Sequence, residues 1–546
     1  MKTKPQIVPN LRIALAAAIL ITCTVITHAQ TRSTYENPAL AGDYPDPSVI
    51  RVGRDYWAVA TSSEWEPEFP ILFSRDLVNW DIVGAVFQKR PAWSVGNYWA
   101  PEIAYDRGKY FVYYVARKSG GPLCIAVATS SRPAGPYQDH GPMVCQDAGS
   151  IDPLPVNDER GVRYLLWKED GNSRNQPTPI WAQPLSPDGT KLVGERRELI
   201  RNDAPWEAQL VEGPFVLRRG DWFYMFYSGN ACCGRECNYA LGVARSRNLL
   251  GPWEKHKDNP ILKGNETWKC PGHGTIVDDQ RGRTFLFYHA YHAKDFVYVG
   301  REALLDEVTW NADGWPTINN GRGPSVSAAT PSNVAERNAE YLFFDDFTTS
   351  SLKPGWQWPH ENPPMVQLQR RNGGQVLLTA GAARASDALG AILARSTTVG
   401  DYVATTELAM GSLKPNVLAG LAGVGDPENA LGIAVGSDGS VRVWKRQKNN
   451  HEVVTTTTAP NATSLWLRLS ARNGRLFRFA VSADGRNWID VGPELNGDYM
   501  PPWDRGLRVA LTVGGTTDAA ARFNSLRIVP ARSIGGSGNS REDKHE

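Results

Sequence analysis

Gly53-Arg54-Asp55-Tyr56-Trp57 is a turn glycine followed by an aromatic strand of alternating pattern, and the chain repeats that signature four more times. The later copies are Gly108-Lys109-Tyr110-Phe111, Gly161-Val162-Arg163-Tyr164, Gly220-Asp221-Trp222-Phe223 and Gly282-Arg283-Thr284-Phe285. Intervals of 55, 53, 59 and 62 residues separate successive glycines. Each copy reads as a β-hairpin, in which glycine supplies the turn and a period-two strand follows. A second element travels with the first. Ser74-Arg75-Asp76-Leu77-Val78-Asn79-Trp80 returns as Ser131-Arg132-Pro133-Ala134-Gly135-Pro136-Tyr137 and as Ser246-Arg247-Asn248-Leu249-Leu250-Gly251-Pro252-Trp253. No long stretch of helical period interrupts the region. Five repeats of about four strands each predict an all-β, five-bladed β-propeller, in which radial repetition shields the sheet edges.

In a propeller the first strand of each blade lines the central channel. Seven to nine residues before each hairpin glycine stand Asp46 in Tyr44-Pro45-Asp46-Pro47-Ser48, Ala100 in Trp99-Ala100-Pro101-Glu102, Asp152 in Ser150-Ile151-Asp152-Pro153, Glu212 in Val211-Glu212-Gly213-Pro214 and His273 in Pro271-Gly272-His273-Gly274. Isolated Asp-Pro pairs are ordinary turn residues. Ionisable side chains recurring in register at four of five blades predict a shared axial site instead. Three carboxylates in one pocket fit glycoside hydrolysis, which needs one carboxyl protonated to assist the leaving oxygen and another ionised. Crowding and desolvation raise the pKa of one partner, so a third carboxylate can tune the acid.

The remaining composition agrees with an exported protein acting on a neutral polymer. Lys2, Lys4 and Arg12 precede an apolar run from Ile13 to Ile26 that is too short for a stable span, and residues 1–29 read as a signal peptide cleaved before Gln30. Thr22 before Cys23 argues against a lipid anchor there. Nothing later approaches ~18 uninterrupted apolar residues, so no membrane association beyond the export signal is expected. Localisation is therefore secreted or periplasmic. Without its signal the chain carries 56 Lys and Arg against 57 Asp and Glu, which argues against nucleic acid as a partner. Six cysteines remain: Cys124, Cys145, Cys232, Cys233, Cys237 and Cys270. Disulfides, with Cys124–Cys145 the favoured pair, are preferred over a zinc site built from the last four, because no C-x-x-C pair occurs.

At its site motifs the sequence resembles glycoside hydrolase family 43, from roughly Tyr35 to Asn319. The resemblance rests on Asn37-Pro38 leading into Pro45-Asp46-Pro47-Ser48, then Trp99-Ala100-Pro101-Glu102, Ile151-Asp152-Pro153, Glu212-Gly213-Pro214, Gly272-His273-Gly274, Gly300-Arg301, and Trp310 with Asp313-Gly314-Trp315-Pro316. It implies an inverting enzyme with Asp46 as general base, Glu212 as general acid and Asp152 orienting the acid and raising its pKa. It also implies an Arg301 that reaches the substrate and a His273 near a structural calcium held through water, with no cofactor required for the chemistry. Trp65 and Trp99 are candidates for the pocket wall. The implied substrates are xylose- or arabinose-containing oligo- or polysaccharides such as arabinoxylan, xylan or arabinan. Ser63-Glu64-Trp65-Glu66 followed by Phe73-Ser74-Arg75-Asp76-Leu77 resembles the exo-acting xylosidase and arabinofuranosidase types. An endo-arabinanase and a non-catalytic sugar-binding propeller are the alternatives. A fructan-processing propeller is disfavoured because Pro45-Asp46-Pro47-Ser48 departs from the Asn-Asp-Pro-Asn type of first motif.

The propeller is expected over residues 30–320 and a linker over 321–340, rich in Ser, Ala, Pro and Asn. From Tyr341 a new β pattern begins with Phe343-Phe344-Asp345-Asp346-Phe347, and Ser437-Asp438-Gly439-Ser440 and Ser482-Ala483-Asp484-Gly485-Arg486 mark turns between alternating strands. Residues 341–532 are therefore expected as a jelly-roll, concanavalin-like β-sandwich, resembling the lectin-like domain attached to family 43 xylosidases; its role is either sugar binding or bracing of the catalytic pocket, with bracing preferred. Residues 533–546 carry Gly, Ser and charge without an apolar pattern and are expected to be disordered.

Overall fold

The computed structural model describes residues 1–3, 33–332, 334, 343–370 and 373–531. The signal-peptide reading beyond its first three residues, residues 333 and 335–340 of the expected linker, and the expected tail from 533 lie outside the described residues. No helix among the described residues is long and apolar enough to cross a membrane.

Five four-stranded antiparallel sheets follow one another, each with its strands in sequence order. Their innermost strands are Ser48–Val52, Ser94–Asp106, Ser150–Asn157, Val211–Arg219 and Trp268–Asp278, which neighbour one another in cyclic order, the last returning to the first. The ring is the predicted five-bladed propeller. All five hairpin glycines turn with positive φ, from 59° at Gly220 to 83° at Gly161. A Cβ at any of them would meet nothing within 4 Å, so backbone conformation rather than space calls for glycine there. The second repeat also has one physical form, an aromatic folded back onto its own turn. Trp80 Nε1 donates to Leu77 O (2.9 Å), the Tyr137 hydroxyl to Pro133 O (2.9 Å) and Trp253 Nε1 to Leu249 O (3.0 Å).

The ends of the ring are fastened by the segment ahead of the first blade. Asn37 brackets Leu305 of the fifth blade, its Nδ2 donating to Leu305 O (3.1 Å) and its Oδ1 accepting from Leu305 N (3.0 Å). Thr34–Glu36 pairs antiparallel with Ser327–Ala329, which lies within the stretch read as linker. Cys124–Cys145, Cys232–Cys233 and Cys237–Cys270 are disulfides, so the favoured pair forms and the zinc alternative falls.

Beyond residue 343 two sheets stack as a sandwich. One has eight strands, including Tyr402–Ala409, Ser464–Arg472 and Ala520–Pro530; the other has six, including Leu418–Asp426, Asn429–Gly436 and Arg508–Gly514. Leu408, Leu421, Ile433, Leu467, Phe479 and Leu511 fill the space between them.

Two seams join sandwich to propeller. Trp358–Pro359 adds a short strand to Trp65–Glu66, and Trp358 Nε1 donates to Glu66 Oε2 (2.9 Å). At the second seam Arg508 Nη1 meets Asp43 Oδ2 at 2.8 Å, with both side chains 2% exposed, and Gly506 N donates to the same oxygen (3.0 Å). A buried pair is costly to break from one side, because the remaining charge keeps its desolvation without its partner. Asp43→Ala is therefore expected to destabilise the protein by about 3–5 kcal/mol, read as a lowered melting temperature. An unchanged transition would show that the pair holds nothing together.

Candidate active site

A flat strand would send side chains to alternate faces and away from the axis. Each blade places a left-handed residue at the axial end of its inner strand: Asp46 (φ 51°), Ala100 (φ 40°), Asp152 (φ 58°), Gly213 (φ 56°) and His273 (φ 43°). Strand pairing slips at the same place in blades two to five, around Ala100, Asp152, Gly213 and His273. Bulges of this kind re-aim side chains, and for a residue with a Cβ the left-handed conformation costs roughly 1–2 kcal/mol. The blade-four position belongs to Gly213 and not to Glu212, which stands one residue earlier. A Cβ at Gly213 would lie 2.9 Å from His273 Cγ, so the close approach requires glycine as much as the φ does.

The structure brings Asp46, Asp152, Gly213 and His273 to one pit, together with Ser48, Glu102 and Thr275. Glu212, whose contacts follow, adjoins it. Asp46 is the most strongly held carboxylate. Thr61 Oγ1 donates to its Oδ2 (2.7 Å), Arg301 Nη1 to its Oδ1 (3.1 Å), and its own backbone N–H is accepted by His289 Nδ1 (3.0 Å). His273 Nδ1 stands 3.4 Å from Oδ1. Burial works against the charge, but Arg301 and then His273 outweigh it and hold the carboxyl well below the usual range. Burial and the Arg301 charge push His289 down to about 4, so the ring is neutral at pH 7 and carries its proton on Nε2.

Asp152 and Glu212 form an opposed pair. Asp152 Oδ2 accepts from Gly213 N (2.8 Å), and burial, reinforced by the Glu212 charge, raises its carboxyl to about 7. Glu212 accepts from Lys168 Nζ at Oε2 (2.7 Å) and from the Tyr239 hydroxyl at Oε1 (2.8 Å). Burial again opposes ionisation, yet Lys168 above all, with Tyr239 and His273, brings Glu212 below its ordinary value. The expectation that Asp152 lifts the acid is corrected: the Lys168 charge outweighs it, so Glu212 stands below its ordinary value and Asp152 is the raised member of the pair. Deeper in the channel, burial pushes Glu102 up to about 8.

Arg301 is 4% exposed and bridges Asp46 to the sandwich, where its Nη2 donates to Asp504 O (3.1 Å). Trp99 is half-buried against Trp503 of the sandwich, edge to face at 5.7 Å, and its Nε1 has no hydrogen-bond partner among the described residues. Trp65 corrects the expectation of a wall residue. It is 1% exposed, packs on Leu389, Ile392 and Trp444 of the sandwich, and lies under the Arg508 guanidinium at 5.1 Å, which leaves no face for a sugar. Sequence reasoning missed Lys168, Tyr239, His289 and Trp503. A lysine closing the buried run Tyr164-Leu165-Leu166-Trp167 was the one available signal. No group of three or more His, Cys, Asp or Glu side chains is arranged to hold a metal among the described residues. His273 turns Nδ1 toward Asp46, and imidazole is a poor direct ligand for the oxygen-seeking calcium ion, so the ring fits a calcium only through water.

Comparison with known proteins supplies an independent line. A family model described as Glycosyl hydrolases family 43 matches residues 35–316, and one described as Beta xylosidase C-terminal Concanavalin A-like domain matches residues 344–508. Xylosidase/arabinosidase 43B of Humicola insolens is 28% identical over 498 residues, covering 85% of this chain and 90% of that protein. The xylan 1,3-beta-xylosidase of a Vibrio species is 25% identical over 511 residues, covering 85% and 91%. Among solved structures, the GH43 BlXynB protein from Bacillus licheniformis superposes with a TM-score of 0.79 at 26% identity, covering 91% of this chain and all of that one.

Proposed function

The chain belongs to glycosyl hydrolase family 43 and is a glycoside hydrolase; from that premise we propose an inverting exo-enzyme that releases xylose or L-arabinose from arabinoxylan, xylan or arabinan. The observation that carries the mechanism is the unequal electrostatic setting of the three carboxyls, with Asp46 and Glu212 held low by Arg301 and Lys168 and Asp152 raised. Asp46 is locked ionised by Arg301, as a base must be, and Glu212 shares its surroundings with a neighbour, Asp152, that keeps a proton up to about 7.

In the proposed single displacement, Asp46 takes a proton from a water whose oxygen attacks the anomeric carbon. The glycosidic C–O bond breaks, and Glu212 protonates the departing oxygen. The product is a free pentose of inverted configuration, and solvent returns the proton from Asp46 to the acidic pair. Water, sugar and two carboxyls balance this reaction, so the chemistry needs no cofactor. A calcium at His273 would be held through water and outside the bond-breaking steps. Exo action draws support from the loop Pro501-Pro502-Trp503-Asp504-Arg505-Gly506, which touches Trp99 and Arg301 beside the site. The pentose reading draws support from the relatives, whose names speak of xylosidase, arabinosidase and xylan. Export to a secreted or periplasmic location is supported by three disulfides.

Glu212→Gln is expected to lower the rate on aryl pentosides of poor leaving ability by about 10²–10⁴ and to spare activated dinitrophenyl pentosides. Equal losses on both would remove Glu212 from the acid role. The wild type should cut aryl β-xylosides or α-L-arabinofuranosides and shorten polymer from its ends; internal cleavage of debranched arabinan would contradict exo action.

The pH dependence follows from the signs of the shifts. The base acts ionised, so activity falls only as pH drops through a value below the ordinary aspartate pKa of about 3.9. The acid acts protonated, so activity falls as pH rises and the Asp152–Glu212 pair loses its shared proton, which burial holds on Asp152 up to about 7. The kcat/KM profile should therefore be a broad bell. An acid limb at pH 5–6, or no alkaline decline below about 9, would be inconsistent with these assignments.

A further inference from the structure

Lys168 has no part in the mechanism above, yet its ammonium is buried among the strands of the third blade. It lies on Arg163–Glu169, the second strand of the third blade, after Tyr164, Leu165, Leu166 and Trp167, all buried. Its side chain is 1% exposed, with Nζ 2.7 Å from Glu212 Oε2 and 3.0 Å from Asp170 Oδ1. Removing an ammonium from water costs several kcal/mol, and replacing a whole buried ion pair by apolar side chains is often neutral or stabilising. Stability alone is a poor reason for this lysine.

Resting on the reading of Glu212 as the acid, we propose that Lys168 is a positioning residue: clamped by Asp170, its ammonium fixes Glu212 Oε2, leaves the transferable proton to Oε1, and sets the strength of the acid. The chemistry of the two donors makes the choice of oxygen. An ammonium only donates, so Oε2 must remain an acceptor in both protonation states. The Tyr239 hydroxyl at Oε1 donates or accepts and can turn as that oxygen gains its proton. The other groups facing this carboxyl are Asp152 and Asp46, His273 across Gly213, and Asp170 behind the lysine. Of the cations there, Lys168 alone touches Glu212 directly. Its charge is the largest influence favouring the ionised carboxylate against burial.

The test compares kcat/KM against pH for wild type, Lys168→Met and Lys168→Arg, on aryl pentosides with good and poor leaving groups. Lys168→Met is expected to move the alkaline limb up by about one pH unit or more. It should also lower the rate on poor leaving groups by about tenfold or more, while dinitrophenyl substrates and KM change by less than about threefold. Lys168→Arg should restore the limb. A Lys168→Met enzyme with the wild-type limb and leaving-group dependence overturns the proposal, whatever its melting temperature. Should Lys168→Met fail to fold, Asp170→Asn carries the test. Freed from its clamp, the lysine then pairs more fully with Glu212 and the limb moves down; an unmoved limb overturns the proposal. Glu212→Gln separates the two readings, since full activity of that variant on poor leaving groups sinks the acid role itself.

Discussion

Three carboxyls lie within reach of one another at the axis of this propeller, each less than 10% exposed, and the protein places two cations directly against them. Like charges in a medium poorer than water repel by several kcal/mol at contact distances, so the set is stable only if every negative charge is answered. Arg301 answers Asp46 and Lys168 answers Glu212. Asp152 has a backbone N–H and no lysine or arginine of its own in contact, so a proton answers it up to about 7. The proposed division into permanent base, tunable acid and proton-bearing neighbour rests on that unequal distribution of partners.

Geometry enforces the same arrangement. Strands converging on an axis must break their pleat to present side chains inward, and here each does so at a left-handed residue: Asp46, Ala100, Asp152, Gly213 or His273. Four of these residues carry a Cβ and accept strain, as is common where the surroundings hold a functional side chain in place. The sandwich contributes to holding it. Asp504 O receives the second arm of Arg301, Arg508 anchors on Asp43, and Trp65 is clasped between the two halves. The second domain thereby reaches the base through a single guanidinium, which accords with a bracing role.

The fold was legible because turn glycines at regular spacing reflect a backbone requirement that no other residue meets cheaply. Asp46, Asp152 and His273 were legible for a related reason, since the axial bulge puts them in register beside Pro or Gly. Glu212 was found although it stands one place off that register, because Gly213 occupies the strained position. Lys168, Tyr239 and His289 were hidden within apolar strands, where a lone polar residue resembles ordinary core. Trp65 was misread because the surface covering it, from Leu389 to Arg508, lies more than 300 residues further along the chain. Local pattern cannot foresee a partner at that distance.

The account stands on a water attacking from the Asp46 side while Glu212 assists departure on the other. Proton NMR of the first sugar released by the unmutated enzyme, recorded before mutarotation, reads this directly. The account predicts the anomer opposite to that of the substrate. Release of the same anomer would mean a covalent intermediate and a nucleophile in place of a base, and would contradict it.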